Sequence, residues 1–305
     1  MTFRCSDDAA ARHDPALGTA PPQRDWLLVE HPGPWPVTAP FGADLPTPLL
    51  RALGHPGLRT LFVRRHGREG AAAAMSGPRR WFRAHSGLVR TGVWEHPDDL
   101  LASLGDGVEA GGEPHADPLL LVCTHGVHDA CCAIKGRPLA AALARRWPDE
   151  TWECSHLGGD RFAPTVLVLP DLACYGGMPA ESAVPTLEAH LAGHVQTRWL
   201  RGVAGLHPAE QVALGEVHER WGPAAATAAV PRLVEQDGTF DAGRWTVEVL
   251  GDDPLPPAVR VVIASSRRDE ALLTCRTTRP TRAVQWDVVT VTTHGRDEMT
   301  PSGDR

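Results

Sequence analysis

Residues 119–178 constrain this chain more than any other stretch. Within them, two segments that read as buried strands each run directly into a cluster of soft metal ligands. The first strand, 119–122, is followed by Cys123-Thr124-His125-Gly126-Val127-His128-Asp129-Ala130-Cys131-Cys132. The second, 151–153, is followed by Cys154-Ser155-His156-Leu157-Gly158-Gly159-Asp160-Arg161. Parallel strands of one sheet bring the loops at their C-terminal ends side by side, where α/β folds keep their sites. Four of the seven cysteines and three of the fifteen histidines fall in these two loops. The pattern points to a metal or redox centre.

The order of elements around the loops is legible. A strand at 119–123, a helix at 136–147 and a strand at 151–154 are followed by a hairpin of strands 165–169 and 172–175 through Pro170-Asp171. A helix at 183–195 closes the unit. This is the thioredoxin-like order, with the loop 156–164 in place of the usual middle helix. Upstream, strands are expected at 26–30, 58–64, 81–84 and 88–93, with a short helix at 46–53. Residues 105–118 read as a boundary loop. Downstream, a helix at 208–221 opened by Pro208 and a second near 225–235 precede strands at 245–250, 259–264 and 284–292. The fold class is therefore α/β, a thioredoxin-like domain plus a second, discontinuous α+β domain. The expected domains are an N-terminal α+β region (20–112), a thioredoxin-like domain (113–205), a helical segment (206–239) and C-terminal strands (240–295) that pack with the N-terminal region. No internal repeat is evident, and 294–305 reads as a disordered tail.

Composition narrows the function. A formal charge of −7 gives no electrostatic case for nucleic acid or an anionic membrane. No run approaches the ~18 apolar residues of a membrane span, and the N-terminus does not read as a signal peptide. An odd cysteine count with Cys131 and Cys132 adjacent is unlike a secreted disulfide framework and fits a reducing cytoplasm. Trp26, Trp35 and Trp286 read as packing residues, Cys174 and Cys275 as core, and Arg64 and Arg65 as a solvated strand end.

Thiolates bind metal, and Cys132, just before a helix, has the partial positive charge that favours one. The Cys-x₈-Cys spacing of Cys123 and Cys132 lets one loop fold over a centre held by both sulfurs. His156 and Asp160 lie four apart across two glycines, whose freedom allows a tight backbone path to the same centre. His125 and His128 are either hydrogen-bond donors to sulfur or surface residues. A thiol oxidoreductase calls for Cys-x-x-Cys, and structural zinc for short-spaced pairs. Zinc on Cys131, Cys132, Cys154 and His156 stays open. No hydrolase or transferase motif is present, and an iron–sulfur centre suits the spacing best.

These residues resemble the sucrase/ferredoxin-like family, whose members are related to thioredoxin-like ferredoxins. The resemblance rests on Cys123-Thr124-His125-Gly126…Asp129…Cys132 and on Ser155-His156-Leu157-Gly158-Gly159-Asp160-Arg161-Phe162-Ala163. Gly18-Thr19-Ala20, Trp26–Glu30, Gly33-Pro34-Trp35 and Leu200-Arg201-Gly202 extend it over most of 5–215. It implies a [2Fe–2S] cluster with one iron on two cysteines and the other on two histidines. The cysteine positions fall on Cys123 and Cys132 and the first histidine on His156. Asp160 stands at the second, so the fourth ligand is Asp160, Cys154 or Cys131. Gly158, Gly159 and Arg161 would line the cofactor. The implied function is electron transfer with a redox protein partner. The alternative is a zinc-stabilised or metal-free thioredoxin-like binding scaffold.

Overall fold

The structure is a computed structural model that describes residues 2–85, 87–104 and 111–294. The tail expected at 294–305 lies outside these residues save for His294, as do residues 105–110 of the boundary loop.

A short helix α1 (Cys5–Ala11) leads to β1 (Asp25–Glu30), α2 (Thr47–Leu53), β2 (Leu58–Arg64), α3 (Gly67–Ser76), β3 (Arg79–His85), β4 (Leu88–Trp94), α4 (Pro97–Leu104) and β5 (Glu113–Pro114). A second series follows: β6 (Leu119–Cys123), α5 (Ala130–Arg146), β7 (Thr151–Cys154), β8 (Thr165–Leu169), β9 (Ala173–Gly176), α6 (Ala180–Leu191) and β10 (Leu200–Val203). All ten strands form one sheet, ordered β10-β9-β8-β6-β7-β2-β1-β3-β4-β5. β6 and β8, near its middle, are mostly apolar and buried along their whole length, because helices cover both faces of a sheet of this kind.

The second series is the thioredoxin-like unit read from the sequence. β6 runs parallel to β7 and antiparallel to β8, which pairs antiparallel with β9. Between β7 and β8 there is a loop with one 3₁₀ turn at Asp160–Phe162. The first series repeats the plan. β1 is parallel to β2 and antiparallel to β3, and β3 is antiparallel to β4. The two orders, β2-β1-β3-β4 and β7-β6-β8-β9, are the same. Glu30 pairs with Val63 where Cys123 pairs with Cys154. The amide of His31 donates to the Val63 carbonyl as that of Thr124 donates to Cys154 (2.9 and 3.1 Å). The units join edge to edge by antiparallel pairing of β2 with β7, with Val63 opposite Cys154. Equivalent residues thus face each other, as a local two-fold axis requires. A repeat absent from the sequence is present in the topology.

The seam is polar and closed. Glu153 accepts from Arg64 Nε and Nη2 (2.9 and 2.8 Å) and from Thr124 Oγ1 (3.0 Å), and its other oxygen lies 2.8 Å from His66 Nδ1. The Arg64 guanidinium also covers Trp35, and that of Arg65 covers Trp152. Neither arginine is a solvated strand end, because the seam turns that end inward.

After β10 come α7 (Pro208–Trp221), β11 (Ala229–Thr239), β12 (Ala242–Gly251), β13 (Ala258–Ala271) and β14 (Thr281–His294). The four strands form a separate antiparallel meander packed on α7 around Trp245, Val247, Val261 and Ile263. Two expectations give way. The C-terminal strands do not join strands of 20–112, whose edges are taken by the main sheet. They meet the N-terminal segment instead, where Arg268 reaches Asp14 (3.3 Å). The helix expected near 225–235 is β11, since Pro231 lacks the N–H that a helix interior needs and is tolerated on an edge strand. No helix among the described residues is long and apolar enough to cross a membrane.

One buried histidine makes acid lability predictable. His218 on α7 is 5% exposed, neither ring nitrogen has a hydrogen-bond partner among the described residues, and burial lowers it to about 4. The unfolded value is ~6.5. The His218 contribution is therefore complete above ~6.5 and is lost as pH falls toward 4, because the unfolded chain takes up the proton first. Between pH 7.5 and 5 the loss should be about 2 kcal/mol. Urea unfolding of wild type and His218→Leu at both pH values should show a smaller drop for the variant; equal drops would contradict this.

Candidate metal centre

The C-terminal ends of β6 and β7 lie side by side, and α5 begins six residues earlier than the sequence suggested. Asp129 caps it, accepting from the Cys131 amide at 2.9 Å, so Cys131 and Cys132 both fall in its first turn. Gly136, one turn on, lets the helix pass over the strand end: a Cβ there would stand 2.1 Å from the Cys123 carbonyl oxygen. This close approach sets Cys132 beside Cys123. Across the sheet, Arg59 Nη2 holds the His156 carbonyl at 2.7 Å, and the His156 amide donates to His125 Nδ1 at 3.2 Å.

The donor atoms of Cys123, Cys132 and His156 all lie within 4.8 Å of one another, as do those of His128, His156 and Asp160. His156 belongs to both groups, which therefore adjoin. Asp160 Oδ1 lies 3.0 Å from His156 Nδ1 and accepts from Cys132 Sγ at 3.4 Å. Its other oxygen is 3.8 Å from His128 Nε2. The His128 and His156 rings stack at 3.6 Å, and His128 Nδ1 is fixed 2.9 Å from the Val37 carbonyl.

The electrostatics favour one anionic sulfur, at Cys123; the hydrogen bond to Cys123, and then burial, push the Cys132 thiol up. The Cys132 thiol holds the Cys123 thiol well below its ordinary value against burial, and His156 adds to that. Burial opposes a charged His156, yet Asp160 and Cys123 outweigh it and push the imidazole up to about 9. Asp160 likewise stays below the usual carboxylate range despite burial, through His156, His128 and the Cys132 thiol. Two buried soft sulfurs with imidazole and carboxylate donors suit an iron–sulfur centre or zinc. His125 is held by the His156 amide, which donates to its Nδ1, and by a backbone hydrogen bond to Pro36.

The other expected residues are placed as follows. Gly158 and Gly159 have positive φ (98° and 76°), and a Cβ at Gly159 would stand 2.2 Å from Arg201 Nη2. Arg161 ends 3.3 Å from Asp14 and over the Phe162 ring, in neither donor group. Cys154 lies buried in the same apolar cluster as Cys123 and Cys132, also outside the donor groups. Cys131 faces another set of residues, Cys5, Asp129 and Cys275. Trp35 places its edge on His125, so the loop after β1 covers the site.

Two contributions were missed. His128 offers a donor atom within 4.8 Å of those of His156 and Asp160, a placement that its spacing from Cys132 does not reveal. Arg201, 1% exposed, donates to the Gly158 carbonyl (2.9 Å), Thr19 Oγ1 (3.1 Å) and the Thr19 carbonyl. It ties together Gly18-Thr19-Ala20, Gly158-Gly159 and Leu200-Arg201-Gly202, three stretches of the resemblance that hold no metal-binding cysteine. Clefts of 330 and 350 Å³ flank His156, the first rimmed by Phe41, Arg59 and His128, the second by Pro21, Pro22 and Arg161.

Residues 61–202 match the sucrase/ferredoxin-like family model, a shorter span than the 5–215 read from the sequence. The thioredoxin-like [2Fe–2S] ferredoxin from Aquifex aeolicus is similar to 28% of this chain over 91% of its own, with 21% identity and a TM-score of 0.25. A cysteine-to-serine variant of it covers 28% of this chain and 97% of its own, at 19% identity and a TM-score of 0.25. No curated protein matches the chain.

Proposed function

Taking residues 61–202 as a sucrase/ferredoxin-like domain, we propose that this chain is a cytoplasmic electron-transfer protein that carries a [2Fe–2S] cluster. Cys123 and Cys132 hold one iron; His156, with Asp160 or His128, holds the other. The observation that carries this reading is the convergence of two buried thiols and an imidazole within 4.8 Å. A cluster of this kind supplies one-electron chemistry, and nitrogen ligands raise its potential relative to an all-thiolate set.

The chain's own residues divide the remaining work. Trp35 and Arg64 exclude water from the β2 side. Arg59 and His125 fix the His156 backbone, and Val37 orients the His128 ring. His156 and His128, each partly exposed, line the cleft through which a redox protein partner approaches. A carboxylate on iron favours the ferric state, so ligation by Asp160 lowers the potential relative to a bis-histidine set.

Purified wild type should absorb in the visible, bleach with dithionite and contain iron and sulfide in equal amounts. Cys123→Ser, Cys132→Ser and His156→Ala should each lose most of the iron. Between Asp160→Ala and His128→Ala, the variant that loses more iron identifies the fourth ligand. A colourless wild type with zinc at these residues, or with no metal, would favour the scaffold reading and sink this one.

A further inference from the structure

A second donor cluster lies behind the first. Cys5 from the start of α1, Asp129 and Cys131 from the start of α5, and Cys275 from the β13–β14 connection place one donor atom each within 4.8 Å of one another. Cys275 Sγ lies 3.3 Å from Cys131 Sγ and 3.5 Å from Cys5 Sγ. Cys5 Sγ is 3.7 Å from both carboxylate oxygens of Asp129. Cys5, Asp129 and Cys131 are at most 1% exposed, and Cys275 is partly buried.

We propose that Cys5, Asp129, Cys131 and Cys275 form a structural zinc site that staples the two ends of the described chain to the helix carrying Cys132. The geometry fits. Zn–S bonds of about 2.3 Å place the corners of a tetrahedron roughly 3.8 Å apart, a few tenths of an ångström beyond the spacing here. Three thiolates and a carboxylate carry the same charge as four thiolates, a common zinc set. Soft sulfur excludes calcium and magnesium, which take oxygen ligands.

Asp129 supplies an independent reason. It is wholly buried, and no Lys, Arg or His pairs with it among the described residues. Its partners are the amides of Cys131 and Cys275 (2.9 and 2.6 Å) and the Cys5 thiol. A buried carboxylate without a cation is costly, and a divalent metal in contact with it removes that cost. The segments joined are 144 and 270 residues apart in sequence from Cys275. Cys131 and Cys132 share one helical turn, so the staple also fixes a ligand of the first centre.

The test uses the full chain with Cys123→Ser and Cys132→Ser, which removes both thiolates of the first site, and Co²⁺ as the probe for zinc. One equivalent of Co²⁺ should bind with a thiolate charge-transfer band and be displaced by Zn²⁺. Adding Cys275→Ser or Cys5→Ser should weaken binding at least tenfold. Asp129→Asn keeps a good helix cap and should weaken binding less than either cysteine change. Circular dichroism checks that Cys275→Ser, in a partly exposed loop, remains folded. No Co²⁺ band, a band unchanged by Cys5→Ser and Cys275→Ser, or a Cys131–Cys275 disulfide in protein purified under reducing conditions would overturn the proposal. Loss of iron from wild type with Co²⁺ binding intact would reject the electron-transfer reading and leave this one standing.

Discussion

Glu153→Ala is expected to destabilise the protein by about 3–5 kcal/mol, the usual cost of breaking a buried charge pair by removing one partner. The substitution leaves Arg64, already turned inward over Trp35, without its carboxylate, and frees Thr124 and His66 at the same point. The damage falls on the β2–β7 seam and so on the cover of the first centre. Glu153→Gln keeps the shape and separates charge from packing. Burial opposes the Glu153 carboxylate, but Arg64, His66 and Thr124 hold it below the ordinary range. Its contribution is therefore present above ~4.3 and lost as pH falls through the lower folded value. Wild type should exceed Glu153→Gln in stability near pH 7 and converge with it in acid. Denaturant midpoints at several pH values decide this; a wild-type midpoint for Glu153→Ala would show that the seam is held by backbone pairing alone.

Arg201→Ala should be comparably severe, about 3–5 kcal/mol, because it leaves a cavity and unpaired buried carbonyls, and it should also release the loop that carries His156 and Asp160. The lost side chain fills the space beside Gly159 and Gly176 and satisfies carbonyls of Gly158 and Thr19. Arg201→Lys should recover little, because one ammonium cannot reproduce a planar fork of donors. Hydrogen exchange should rise across residues 156–162 in both variants, and metal retention should fall with it. Unchanged exchange in that loop with lowered global stability would make Arg201 a packing residue only.

What the sequence made legible depended on how local the signal was. The continuous apolar runs before Cys123 and after Pro164, with turn residues between them, identify four strands and their order. The first unit was less readable. α3 carries Gly67 and Gly70 in its first turn, which blurs its start, so four strands were visible with only one of the helices that show their plan. The alanines of 224–229 suggest a helix, but pairing with β12 takes over from Ala229 on. In the site, Cys123, Cys132 and His156 were readable because each sits at a strand end or a helix start. Cys275 was not, since its neighbours come from distant parts of the chain. Arg201 left only a motif, as one side chain reaching three loops has no periodicity.

Two like units joined through equivalent edges are the layout of a homodimer written into one polypeptide. A dimer of separate chains opens on dilution, whereas a tether holds the second half at an effective concentration on the order of millimolar. Shielding by Trp35 and Arg64 is thereby independent of how much protein a cell makes. The tether also removes the need for the halves to be identical. One retains thiols at its strand ends, while the corresponding loop of the other, His31 to Trp35, serves as cover.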